Sequence, residues 1–149
     1  MVEKMSEDKN GKRAVGIIIK DDKILLLRRI KDNKEYFVFP GGSVEEGESI
    51  EDAVIRELKE ELCIDAKLDK FLFDFYISPN PYEIGRTSYF YLITKFQGDP
   101  KLGGPEKERM NDSDQYYPEW HDLEKALDYP TLYPEEARTK LGNLWFSHE

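Results

Sequence analysis

Several kinds of protein are excluded by what this chain lacks. It has one cysteine, Cys63, in 149 residues, so no disulfide can form within it. Its two histidines, His121 and His148, are too few and too far apart for a zinc site, and both read as surface residues. Positive charge is the minority sign. The 22 Lys and Arg stand against 31 Asp and Glu, for a net charge of −9. That excludes the broad basic footprint of a nucleic-acid binder and docking on anionic membranes. The longest apolar runs, near AVGIII and ILLL, fall far short of the roughly 20 residues that span a bilayer. The opening MVEKMSEDKNGKR has no apolar core, so it does not read as a signal peptide. A flexible tail over residues 1–12 is expected instead. Neither an internal repeat nor a low-complexity tract is present. The expectation is a soluble cytoplasmic protein without membrane or broad nucleic-acid partners. Small anionic substrates stay open, because a divalent cation can reverse the local sign.

The rest suits one compact domain over residues 13–149. Hydrophobic residues are 39% of the chain and aromatics 13%, enough to fill a core. Arg13 to Lys20 and Lys23 to Ile30 read as a β-hairpin about Asp21-Asp22. Glu35 to Phe39 is a short aromatic strand stopped by Pro40. Ala66 to Ser78 and Arg86 to Phe96 read as long strands joined by SPNPYEIG. Gln97 to Tyr117 is a long polar connection of the kind that is often functional. A short strand at Tyr117 to Trp120 and helices at Asp122 to Leu127 and Pro134 to Trp145 complete the chain. The class is α/β, with a mixed sheet between helices.

The clearest helix runs from Ser49 to Leu62. Ser49 is a good N-cap, with Asp52 as an approximate capping-box partner, and Val54, Ile55, Leu58 and Leu62 form its apolar stripe. Before it stands GGSVEEGES, Gly41 to Ser49. Gly42 and Gly47 have the spacing of a phosphate-binding P-loop, but Glu48 replaces the lysine. On the helix, Glu57, Glu60 and Glu61 share one face at i, i+3 and i+4. Arg56 relieves them toward Glu60, and Lys59 lies away. Such a cluster is either a solvated face or a seat for a hard cation, since oxygen ligands suit magnesium or manganese.

Loop and helix together resemble the signature of the Nudix (MutT-like) hydrolases. From Gly42 the chain runs five residues to Glu48, seven more to Arg56-Glu57-Leu58, then Lys59, Glu60-Glu61, Leu62, Cys63 and Ile64. Every charged position of the family's pattern is matched. The one departure is Cys63, where the family usually has glycine, and it is expected to alter the helix C-cap only. LLLRR, the strand ending in FPGG, and a later tryptophan before a helix extend the likeness over Arg13 to Trp145.

The resemblance implies a Nudix-type α/β/α sandwich and a metal-dependent pyrophosphohydrolase with Mg²⁺ or Mn²⁺. Water would attack phosphorus in a diphosphate linking a nucleoside to another moiety. Candidate substrates are nucleoside triphosphates, ADP-ribose and nucleotide sugars. It implies metal ligation by Glu60, Glu61 and Glu57, with Glu57 alternatively the base, and by the Gly41 carbonyl. Arg56 would orient the glutamates and Glu48 would brace Arg56. Homodimers are frequent in the family. A carboxylate near metals keeps a depressed pKa and stays ionised. The alternative is a non-catalytic nucleotide-sensing module on the same fold, which can lose the glutamates this chain keeps.

Other residues carry weaker signals. Glu106 is the first choice for an extra acid from the polar loop, ahead of Glu108, Asp112 and Asp114. Arg28 or Arg29 can reach a phosphate or a base, since alternation sends one to each face. Tyr36 and Phe37 can stack on a base or pack in the core, and Trp120 and Trp145 read as core or interface anchors. Pro79 hints at ADP-ribose and Tyr82 at dinucleoside polyphosphates, so the two conflict.

Overall fold

Two left-handed turns shape the first half of the chain. In the computed structural model, which describes residues 11–78, 85–104, 107 and 110–146, β1 (Lys12–Lys20) and β2 (Lys23–Lys31) form a hairpin with Ile19 opposite Ile24. Asp21 and Asp22 have φ of 53° and 64°, the paired positive values a two-residue hairpin turn needs. Asp32 and Asn33 repeat the device at 52° and 68° and lead into β3 (Lys34–Val38). The sequence pattern alone does not mark that second turn.

After β3 the chain changes neighbours. β4 (Gly41–Ser43) leaves β2 and pairs antiparallel with β1 at Arg13–Val15. On its other side β1 pairs in parallel with β7 (Arg86–Ile93), and β6 (Lys70–Ile77) is antiparallel to β7 at the edge. β9 (Asp114–Asp122) runs antiparallel along all of β2, and β10 (Leu132–Tyr133) is parallel to β3. The result is one mixed eight-stranded sheet, as expected.

Strand alternation gives this sheet two cores. Ala14, Ile18, Leu25 and Leu27 face α1 (Ile50–Leu62). Val15, Ile17, Ile24 and Leu26 face α2 (Leu123–Ala126) and α3 (Glu135–Phe146) on the opposite side. The arrangement is therefore an α/β/α sandwich. α1 beds closely on β1 because Gly16 has no side chain. A Cβ there would come within 2.9 Å of Leu58 Cδ1 and 3.0 Å of Ile93 Cδ1. Leu58 is fully buried, and truncating such a leucine to alanine costs about 2–5 kcal/mol. Ile55 is not part of the stripe. It lies about 100° around the helix from Val54 and is 38% exposed.

Both long strands of the second half are broken. β5 (Asp65–Lys67) and β8 (Lys95–Gln97) pair with each other in a separate two-stranded sheet. Asp69 turns the chain between β5 and β6, donating its N–H to the Leu92 carbonyl at 2.8 Å. β9 starts at Asp114 rather than Tyr117, so the polar connection is shorter than its composition suggested. No helix among the described residues is long and apolar enough to cross a membrane.

Candidate active site

α1 is positioned at both ends by hydrogen bonds that its sequence supplies or invites. At its start, Ser49 Oγ accepts from the Asp52 N–H at 3.1 Å, satisfying a donor that has no partner within the helix. The Tyr91 hydroxyl on β7 donates to Glu51 Oε2 at 2.8 Å, tying the first turn to the sheet. Burial, with Glu51 beside it, pushes the Tyr91 phenol up to about 12. At its end, Cys63 sits in the left-handed conformation with φ 61° and donates its N–H to Lys59 O at 3.1 Å. Glycine holds that conformation at no steric cost, and cysteine does not. Two further C-terminal carbonyls accept from the polar connection: Leu62 O from Lys101 N at 3.0 Å and Glu61 O from Gly103 N at 2.9 Å.

Between these ends the helix and β4 bring the box residues together. Arg56 is the hub. Its Nε and Nη2 fork onto Glu48 at 2.7 and 3.1 Å, its Nη1 reaches Glu57 at 3.0 Å and Glu60 at 3.2 Å, and Nη2 also donates to Ser43 O at 3.0 Å. Glu45 stands 3.8 Å from Nη1. Glu48 in turn accepts from its own loop at Glu45 N, 3.0 Å away. The Arg56 contacts hold the Glu48 carboxyl below its ordinary value and push the guanidinium upward.

The glutamates differ sharply in burial. Glu60 is half exposed, whereas Glu61 is 5% exposed and its Oε1 accepts from the Gly41 N–H at 3.0 Å. Glu57 lies under β4, where a Cβ on Gly42 would collide with its carboxyl. Burial raises the Glu57 pKa, opposed by the charges of Arg56 and Arg13. Desolvation is the largest of these influences, and the depression expected next to metals applies only with an ion in place. Gly41 is equally confined, since a Cβ there would strike the Ala14 carbonyl on β1. The two glycines are thus required by close approach of backbone and carboxylate. Among the described residues no three acidic or other ligating side chains converge at metal-binding distance; the Arg56 guanidinium bridges Glu57 and Glu60. The donor set is nonetheless all oxygen, which fits a hard divalent cation.

The other residues singled out by sequence fall elsewhere. Arg28 pairs with Glu119 at 2.8 Å and Glu35 at 3.2 Å and lies over the Tyr117 ring; Arg29 pairs with Asp114 at 2.9 Å and lies over the rings of Tyr116 and Tyr36. These partners are on β3 and β9, not on α1. Phe37 packs into the core against His121 and Tyr129. His121 is not a surface residue. Its side chain is 15% exposed, with Nδ1 2.8 Å from the Tyr129 hydroxyl and Nε2 3.2 Å from Glu119. Glu119 and Tyr129 are near in sequence, but Phe37, which packs on the ring, is remote, and local pattern gave no sign of it. Trp120 stacks on Phe96, and Trp145 is 36% exposed. Glu106, Glu108, Pro79, Tyr82 and His148 lie outside the described residues.

Sequence reasoning passed over Arg13. Its Nη2 donates to the Gly41 carbonyl at 3.4 Å, and it lines a cleft of about 470 Å³ with Phe39, Arg86, Ser88, Phe90 and Tyr133. A signal was present: in KRAVGIII, Arg13 shares a strand face with Val15 and Ile17, an apolar register where a charge is out of place.

A profile of the NUDIX domain matches residues 11–140. The chain belongs to the Nudix family. Among curated Nudix-like relatives it is 44% identical over 134 residues to the ADP-ribose pyrophosphatase of Methanocaldococcus jannaschii, covering 85% of this chain and 73% of that one. It is 37% identical over 103 residues to the 8-oxo-dGTP diphosphatase of Escherichia coli K12, covering 62% of this chain and 74% of that one. The fold is similar to the crystal structure of a MutT NUDIX hydrolase from Burkholderia pseudomallei, with a TM-score of 0.69, 25% identity, and coverage of 88% of this chain and 95% of the other. Nudix family members generally use divalent metal cofactors.

Proposed function

We propose that this chain is a metal-dependent hydrolase that cleaves a nucleoside diphosphate linked to another moiety, by water attack at phosphorus. The observation that carries this reading is carboxylate burial. Glu61 at 5% exposure and Glu57 under β4 are not the side chains of a solvated helix face. Burying an ionised carboxylate costs several kcal/mol unless charge or hydrogen bonds compensate it, so its retention beside Glu60 favours a cation seat.

Glu60, Glu61, Glu57 and the Gly41 carbonyl would hold Mg²⁺ or Mn²⁺. When bound, such an ion neutralises phosphate charge and lowers the pKa of water. The chain's own groups do the rest. Arg56 aims Glu57 and Glu60, and Glu48 fixes Arg56. Alternatively Glu57, held by Arg56 at 3.0 Å, would leave the ion to the other ligands and accept the proton of the attacking water. The cleft has the size of a small-ligand site and an aromatic lining for a nucleoside. The likeness to the M. jannaschii ADP-ribose pyrophosphatase supports ADP-ribose as the first candidate substrate to test, ahead of nucleoside triphosphates (including oxidised ones) and nucleotide sugars.

The test is phosphate and nucleotide release across that panel, extended to dinucleoside polyphosphates, with magnesium and then manganese. In the Glu61→Gln variant turnover should fall at least about a hundredfold, since even residues that only orient metal ligands cost about 10–100-fold. The substituted amide oxygen can still accept from the Gly41 N–H, so the fold should persist. Absence of turnover in the wild type, with nucleotide binding intact, would overturn catalysis and leave the sensing module.

A further inference from the structure

We propose that Arg13 and Arg86 form an anion clamp at the mouth of the cleft, gripping the phosphate nearest the nucleoside without help from a metal. The clamp rests on the reading of the cleft as the nucleoside site.

Topology places the two arginines together. β1 and β7 are parallel neighbours, with Arg13 opposite Ser88. Arg86 lies two residues before Ser88 and therefore on the same face. Both guanidinium-bearing side chains line the cleft, over a floor that includes Val15, Phe39 and Phe90. The Arg86 side chain makes no hydrogen bond or ion pair among the described residues. By contrast Arg28, Arg29, Arg56 and Arg138 all stand against carboxylates. The cleft's own acid, Glu135, faces Arg138 at 3.7 Å, so its charge is already met. Arg13 already serves the Gly41 carbonyl and adds its charge toward Glu57, whereas Arg86 brings a second cation to the same apolar cleft with no carboxylate to meet among the described residues.

The position of Arg13 gives the clamp a direction. It donates to the carbonyl of Gly41, and the N–H of that same residue holds Glu61. Cleft and glutamate cluster are therefore separated by one residue of backbone. A ligand that fills both must carry its diphosphate past Arg13. The nucleoside then lies on the apolar floor, the first phosphate on the arginines, and the second against the glutamates. A guanidinium suits this role because its planar fork matches two phosphate oxygens.

The consequence is measurable without metal or turnover. Calorimetric titration of the full chain in EDTA would compare AMP with adenosine, and GMP with guanosine. The clamp predicts at least about tenfold tighter binding of one monophosphate than of its nucleoside, from charge-assisted hydrogen bonds to the phosphate. Arg86→Gln should bring the monophosphate down to the nucleoside's affinity and leave the nucleoside unchanged. Arg13→Gln should do likewise and Arg13→Lys should retain part of the preference. Thermal melts check folding, and Arg86→Gln is informative even if the Gly41 contact makes Arg13 variants unstable. Equal affinity of monophosphate and nucleoside, binding of neither, or a preference indifferent to Arg86→Gln overturns the clamp. Failure of the hydrolase reading looks different: no turnover with metal, yet arginine-dependent monophosphate binding intact.

Discussion

Two arginine–carboxylate clusters in this molecule are built from the same groups but balance differently. Across β2, β3 and β9, Arg28 and Arg29 face Glu35, Glu119 and Asp114, and both guanidinium groups lie over tyrosine rings. Charge there is nearly matched. On α1 and its loop, Arg56 pairs with Glu45, Glu48, Glu57 and Glu60, Arg13 adds its charge toward Glu57, and Glu61 is buried beside them. The first cluster fastens strands together. The second has more carboxylates than Arg56 and Arg13 can neutralise, and it lies where glycines bring backbone close. Charge shortage, more than the presence of charge, separates a candidate site from a structural fastener.

The hardest blow to that contrast is Arg56→Met. Removing the hub leaves several partly buried carboxylates facing one another, and we expect a loss of about 3 kcal/mol. That corresponds to a fall in Tm of roughly 6–12 °C in EDTA, partly recovered by millimolar magnesium. A loss below about 1 kcal/mol would mean that solvent, not Arg56, neutralises the cluster.

Glu48→Gln sharpens the same point through pH. The Glu48 pKa is lowered in the fold, first by its hydrogen bond from Arg56. Its contribution is therefore fully present above the ordinary glutamate value and is lost as pH falls through the lowered one. Denaturant titrations should show the variant about 1–2 kcal/mol less stable at pH 7. The gap should close below about pH 4. A gap that persisted in acid would assign the loss to packing.

Arg29→Met probes the balanced cluster. It should cost about 1 kcal/mol, for one partly exposed ion pair and its ring contacts. Turnover should stay within a few-fold of wild type. A tenfold loss of turnover at unchanged Tm would instead place Arg29 on the substrate's path. The smallest effect belongs to the helix end that both α1 and the loop share. Cys63→Gly should stabilise by about 0.5–1 kcal/mol, by relieving the left-handed strain at φ 61°. If the thiol's packing against Gly103 matters more, the sign will reverse.

The parts of this molecule that sequence revealed are those specified locally. Ser49 as a cap, the Val54–Leu58–Leu62 stripe and the spacing of Glu48, Arg56, Glu57, Glu60 and Glu61 are all readable within a few turns. The helix bounds follow to within a residue. What sequence hid depends on distant partners. β4 exists because β1 has an open edge at Arg13–Val15. β9 is nine residues long because β2 templates it, although only Tyr117 to Trp120 read as strand. His121 is internal only because Phe37 and Tyr129 arrive beside it. Arg13 and Arg86 became neighbours through a parallel pairing of strands that lie far apart in the chain.

The grip of the polar connection on the end of α1 bears on how this domain can change over time. Connections of this sort usually absorb insertions freely. Here Lys101 N and Gly103 N hold the carbonyls of Leu62 and Glu61, so a residue inserted between Gly98 and Gly103 would slide the frame that aims two glutamates. Changes of length are thereby disfavoured within 98–104, and a library built to retarget this domain should leave those residues untouched.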